Sequence, residues 1–147
     1  MGTDGLVVAV DLQEIRQAFP SNVIVLRGDV FEIASSESSR TDSAAAVRPI
    51  LSEHAPYDVV LSDMAPSTSG SKISDQARSF DLFMKALDVA ASFGKSGSHF
   101  VGKIFMSSDF ATAKAEVASK YRTVRVIRPE GTRSGSSEVF VVGMVKR

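Results

Sequence analysis

The chain has 147 residues, 44% hydrophobic and 23% charged, which is the range of one ordinary globular domain able to bury a core. Its 17 basic and 17 acidic residues cancel, so bulk charge names no partner, and the absence of cysteine excludes disulfide frameworks and thiolate metal sites. No apolar run approaches membrane-spanning length and no basic-then-apolar export signal opens the chain, which fits a cytoplasmic protein; a mitochondrial one would need a longer N-terminus.

Leu6 to Val10 (LVVAV) is a β-branched run ending on Asp11, and Val23 to Leu26 (VIVL) is a second, leading into Gly28 and Asp29. Both read as strands buried on two faces. The DLQEIRQAFP between them is too short for a full crossover helix but long enough for one turn of helix. A loop-like ESSRTDS follows, then AAAVRPIL, which can carry a helix bent at Pro49. Tyr57 to Ser62 is a third strand. It stops on Asp63 and a small, turn-forming stretch, Pro66 to Gly70.

Ala77, Phe80, Met84, Leu87 and Ala91 recur at helical spacing, with Ser74 as N-cap and Gly94 or Gly97 past the end. His99 to Phe105 (HFVGKIF) is a fourth strand. Ser107 or Ser108 can cap a helix in which Phe110, Val117 and Tyr121 share a face. Thr123 to Ile127 and Val139 to Val145 form the last two strands, and the linker between them is too short for a crossover, so the pair is expected to be an antiparallel hairpin. The alternation predicts a mostly parallel α/β sheet with helices on both faces and an antiparallel strand near one edge.

Ligands of open α/β sheets bind beyond the carboxyl ends of the strands, which directs attention to the polar residues there. Asp11, Asp29 and Asp63 each close a strand, and Lys103 sits inside the fourth. A carboxylate after a strand suits a ribose diol, and it equally suits a helix cap. Lys103 among apolar neighbours calls for a partner, and Asp63 or Glu138 can supply one, either as a structural ion pair or as a catalytic arrangement. Lys120, Arg122, Arg125, Arg128, Arg133, Lys146 and Arg147 gather in the last third, as a solvated rim or as a patch for nucleic acid.

Taken in order, VVAVDL, GDV, DVVLSDMAPSTSG, FVGKIF and VRVIRPEGTRSGSSEVFVVG resemble the FtsJ-type (RrmJ/RlmE) family of ribose 2′-O-methyltransferases across nearly the whole chain. The resemblance implies a Rossmann-like sheet that binds S-adenosyl-L-methionine and a Lys-Asp-Lys-Glu catalytic tetrad. Asp63, Lys103 and Glu138 match its last three members. Asp11 with Leu12 matches the cofactor ribose side, Asp29 with Val30 the adenine side, and Asp63 also the methionine end. The implied partner is RNA, specifically a uridine ribose in large-subunit ribosomal RNA or the ribosomal particle, with Arg128, Arg133 and Lys72 on loops flanking the site.

The family's first strand, its glycine-rich GAAPGGW-like cofactor loop and the first tetrad lysine have no counterpart in MGTDGLVVAVDL. The expected fold is therefore a single incomplete domain over residues 1–147, N-terminally truncated, with its central first strand missing. Such a gap exposes apolar strand edges and favours self-association through the unfilled slot. A chain so reduced is expected to be weak or inactive alone. The alternative is a non-catalytic RNA-binding or ribosome-assembly module on the same fold. A nucleotide-dependent oxidoreductase is disfavoured because no strand is followed by a glycine fingerprint.

Overall fold

A computed structural model describes residues 4–34, 42–129 and 137–147, without the side chains of 34 and 42–46. The chain falls into two compact units, Met1–His54 and Ala55–Arg147. Among the described residues no helix is long and apolar enough to cross a membrane.

In the first unit, β1 (Val7–Asp11) and β2 (Val23–Arg27) pair in parallel, with Asp11 opposite Arg27. The segment joining them contains no helix, so the single helical turn expected there is not formed. Backbone bonds instead pin its end, where Val7 N–H donates to Asn22 O and Val23 N–H to Pro20 O. A short helix that the apolar pattern did not reveal, α1 (Val30–Ala34), follows β2, and α2 (Asp42–Glu53) carries Pro49 in its interior. Arg48 donates to Ile33 O at 2.6 Å, occupying a carbonyl at the end of α1. Ile33, Val47 and Leu51 form the buried core of this unit.

The second unit is built on β3 (Tyr57–Ser62), α3 (Lys72–Phe93), β4 (Gly94–Phe105), α4 (Phe110–Lys120), β5 (Tyr121–Ile127) and β6 (Glu138–Lys146). Its four strands lie in the order β3-β4-β6-β5, parallel between β3 and β4 and antiparallel at the other two contacts. The antiparallel hairpin of β5 and β6 is as expected, and β6 also pairs with β4. β4 starts at Gly94, well before His99, and its register against β3 shifts between Tyr57 and Val59.

Alternation along the strands sends Phe100, Ile104, Val139 and Val141 to one face, where Tyr121 at the start of β5 joins them and Phe83, Ala86, Leu87 and Ala90 of α3 and Ala113 and Val117 of α4 cover them. Phe83 meets Phe100 edge to face at 5.5 Å between ring centres, and Phe100 stacks on Tyr121 at 6.2 Å. Pairs of this kind add about 0.5–1.5 kcal/mol each beyond the area they bury. Both helices of this unit lie on that one face, so the expected covering of both faces is not seen within it. The opposite face carries Val59, Leu61, Val101, Lys103, Phe105, Phe140 and Val142, and Leu61 is 71% exposed.

Two caps differ from the sequence reading. Ser71, and not Ser74, is the N-cap of α3, its hydroxyl accepting from Ser74 N–H. Asp109 precedes α4 without a side-chain capping bond, while Ser107 Oγ accepts from Asp109 N–H one turn earlier. Lys146 Nζ donates to Ala90 O at 3.3 Å and Gly94 O at 2.7 Å and also to Ala91 O, so the last strand ties off the C-terminal carbonyls of α3. Burial, and then the charge of Lys120, hold the Lys146 amine below the usual lysine range.

Candidate active site

At the carboxyl ends of the parallel neighbours β1 and β2, the place where open α/β sheets bind ligands, stand Asp11, the last residue of β1, and Asp29, two residues past β2. Each carboxylate already has a local task. Asp11 Oδ1 accepts from Gln13 N–H at 2.7 Å, and Asp29 Oδ1 accepts from Phe31 N–H at 2.8 Å, starting α1. The capping role open to Asp11 in the sequence is therefore an Asx turn, and Asp29 does the capping. A groove of about 260 Å³ lies here, lined by Leu12, Arg27, Gly28 and Asp29. Arg27 borders it with its Nε donating to Leu12 O at 3.2 Å, a contact that apolar periodicity could not announce. Val30 opens α1 beside Asp29 and is half-buried.

In the second unit the order β3-β4-β6 brings the three remaining predicted residues to one end of one sheet. Ser62 pairs with Gly102, so Asp63 follows alongside Lys103, and Lys103 pairs with Phe140, two residues from Glu138. Lys103 and Glu138 thus occupy diagonal positions on adjacent strands of the open face, separated by about 7–8 Å in such a pairing. Among the described residues Lys103 forms no ion pair, so the expected clasp by Asp63 or Glu138 is not made. The lysine lies half-buried on the face that neither helix of this unit covers, where no buried counter-ion is required.

Beside these residues a groove of about 330 Å³ is lined by Leu61, Ser62, Asp63, Val101 and Phe140. Its lining is mostly apolar, with Asp63 the one ionisable residue in it. The segment after Asp63 is fastened by Asp75, a buried residue of α3 whose carboxylate accepts from Ser69 N–H at 2.9 Å and Ser69 Oγ at 2.7 Å. Those bonds hold the Asp75 carboxyl below the usual aspartate range, with the charge of Arg78 adding to them. Gly70, at φ 82°, lets the segment turn into the helix.

The basic residues divide. Arg128 is exposed just past β5, at the same end of the sheet as Lys103 and Glu138. Lys72 is exposed too, but it is the first residue of α3 and not a loop residue. Arg133 lies outside the described residues. Lys120, Arg122 and Arg147 sit with Lys146 at the opposite end, where Tyr121 pairs with Lys146. A common nucleic-acid patch of all seven is not formed. Among the described residues no cluster of side chains could hold a metal ion.

The family described as FtsJ-like methyltransferase matches residues 1–146. A protein named Ribosomal RNA large subunit methyltransferase E from Sorangium cellulosum is 46% identical over 147 residues, which is all of this chain and 63% of that protein. One of the same name from Syntrophobacter fumaroxidans is 44% identical over 144 residues, 98% of this chain and 68% of its own length. The chain thus spans roughly two thirds of the relatives it matches. Among solved structures, one described as a ribosomal RNA methyltransferase from Plasmodium falciparum superposes with a TM-score of 0.74 at 18% identity, covering 96% of this chain and 73% of its own. Human methyltransferase-like protein 13, solved in complex with SAH, gives 0.56 at 12% identity, covering 95% and 61%. At those identities the likeness is one of fold: a Rossmann-like methyltransferase sheet.

Proposed function

Because the chain belongs to the FtsJ-like methyltransferase family, we propose that it serves S-adenosylmethionine-dependent 2′-O-methylation of a ribose, that of a uridine in large-subunit ribosomal RNA. The observation that carries this reading is the placement of Asp63, Lys103 and Glu138 at one end of three adjacent strands, beside an open groove. The two units belong, on this reading, to one methyltransferase domain.

The cofactor, when bound, supplies a methyl group on a sulfonium sulfur. The residues present suit its nucleoside half: Asp11 and Asp29 each have one carboxylate oxygen engaged by a backbone N–H, which leaves the second to accept from hydroxyl or amino donors. Asp11 with Leu12 would take the ribose and Asp29 with Val30 the adenine. Lys103 Nζ meets the substrate hydroxyl and steers it, and Glu138, diagonal to it, sets the sign of the field at that edge. Arg128, Arg133 and Lys72 draw in the RNA backbone, a contribution that weakens as salt rises. Holding hydroxyl and methyl in line supplies several kcal/mol or more of the barrier.

The test incubates the 147-residue chain with methyl-labelled cofactor and under-methylated large-subunit RNA or particles. Slow label at a ribose 2′-oxygen is expected, lost by roughly 100-fold or more in Lys103→Ala. Label on a base, or equal rates in the variant, overturns the site assignment. RNA binding with no label under any condition selects the non-catalytic module. Tight cofactor binding by calorimetry together with rapid turnover would remove the expectation that this chain is weak alone.

A further inference from the structure

β3 stops at Ser62, opposite Gly102, whereas β4 runs on to Phe105 with only β6 beside it, through Lys103 to Phe140, Ile104 to Val139 and Phe105 to Glu138. Beyond Ser62, therefore, one edge of β4 has lost its neighbouring strand. Met106 N–H donates to Ser137 O at 2.8 Å on the β6 side. Backbone groups alternate between the two edges along a strand, so Phe105 N–H, one residue back, faces the edge that β3 has left. An unpaired donor there would be costly to bury and would let the strand end fray.

That donor is taken by Ser79 Oγ of α3 at 2.9 Å, and Ser79 is 2% exposed. Three residues earlier on the same helix face, Gln76 Nε2 donates to Met106 O at 2.5 Å. One turn toward the N-terminus, Asp75 holds Ser69 and with it the segment that has just departed from β4. The first turns of α3 therefore hold the β3 loop through Asp75, fill the uncovered edge of β4 at Phe105 through Ser79, and fasten the residue after the strand through Gln76. The groove lined by Leu61, Ser62, Asp63, Val101 and Phe140 lies where β3 and β4 part.

We propose that Ser79 and Gln76 are positioning residues for Lys103: Ser79, by standing in for the missing stretch of β3, and Gln76, by fastening Met106 just past the strand, fix the end of β4 that carries the amine. Lys103 lies two residues before Phe105 on the same face, so its direction follows the backbone that these two side chains hold. The inference rests on the reading of Lys103 as the group that meets the substrate hydroxyl, and neither side chain touches the reacting atoms.

The experiment uses the 147-residue chain with its lysines reductively methylated by ¹³C-formaldehyde, Lys103 assigned through Lys103→Arg, and amide exchange followed in parallel. Ser79→Ala is expected to speed exchange at Phe105 at least tenfold and to shift the Lys103 dimethylamine signal while those of Lys85 and Lys114 stay in place. A Lys103 signal that superposes on wild type, unchanged exchange at Phe105, or a shift shared by all the lysines overturns the positioning role. Should Ser79→Ala not fold, Gln76→Ala at a less buried position is expected to move Lys103 in the same way, and a signal left in place overturns the role. Neither readout needs methyl transfer. A Lys103 moved by these variants in a chain that methylates nothing upholds the positioning and refutes the reading of the site, and an unmoved Lys103 in an active chain does the reverse.

Discussion

Gly102 precedes Lys103 on β4 and faces the packed side of the sheet. A Cβ at this position would lie 2.7 Å from Phe100 Cζ, 2.7 Å from Phe83 Cε2 and 2.9 Å from Phe83 Cδ2. Ordinary contact begins at 3.4 Å, so both rings would have to withdraw by roughly 0.7 Å, and neither has free volume to enter because both are at most 1% exposed and packed edge to face. Overpacking of this kind costs about 1–3 kcal/mol, and the entropy removed from the unfolded chain by replacing glycine offsets about 0.4–1 kcal/mol. Gly102→Ala should therefore lower stability by about 1–2 kcal/mol. Both tyrosines, Tyr57 and Tyr121, lie in the second unit, so tyrosine fluorescence in urea follows that unit. The midpoint should fall by about 0.5–1 M at unchanged slope. A midpoint equal to wild type or higher would show that the two rings can yield, and would refute the close packing from which the estimate is built.

Asp75 gives a pH dependence of defined sign. Its folded-state pKa is depressed by the two Ser69 bonds, so its contribution is fully present above the unfolded aspartate value of about 4 and is lost as pH falls through the lower folded value. The gap in urea midpoint between wild type and Asp75→Asn should be constant above about pH 5 and close below about pH 4; a gap that widens on acidification contradicts the assignment. Arg128→Ala should weaken binding of single-stranded RNA evenly across sequences and reduce the slope of log affinity against log salt by about 1; an unchanged slope would remove Arg128 from the RNA path.

Strands were the most legible part of the chain, because continuous runs such as VVAV and VIVL have few alternative uses and because the β5 and β6 linker was too short for anything but a hairpin. The N-terminal side of α3 was misread for a definite reason. Apolar periodicity carries no signal there, because the buried face of this helix begins with Asp75 and Ser79 before reaching Phe83, Ala86 and Leu87. Ala77, placed in the stripe from its type alone, is exposed. The same blindness hid Ser79, whose significance lies in an unpaired edge of β4 that only the register reveals. Lys103 is conspicuous as a lysine in HFVGKIF, whereas the lack of an ion pair to it among the described residues is not legible there, because it depends on the lysine lying half-buried on the face that neither helix of this unit covers.

The two outer edges of the four-stranded sheet differ in their protection. β5 carries Arg122 and Arg125, with Arg128 just past its end, all exposed, and such charges discourage another strand from adding to an edge even where Val126 and Ile127 are also exposed. β3 has no comparable protection. Along Tyr57–Ser62 its only charge is Asp58, already paired with Lys95, while Val59 and Leu61 stand 45% and 71% exposed. An apolar strand with an open edge is a template on which another strand can add. The edge of β3 is therefore expected to be the part of this sheet most readily paired by another strand.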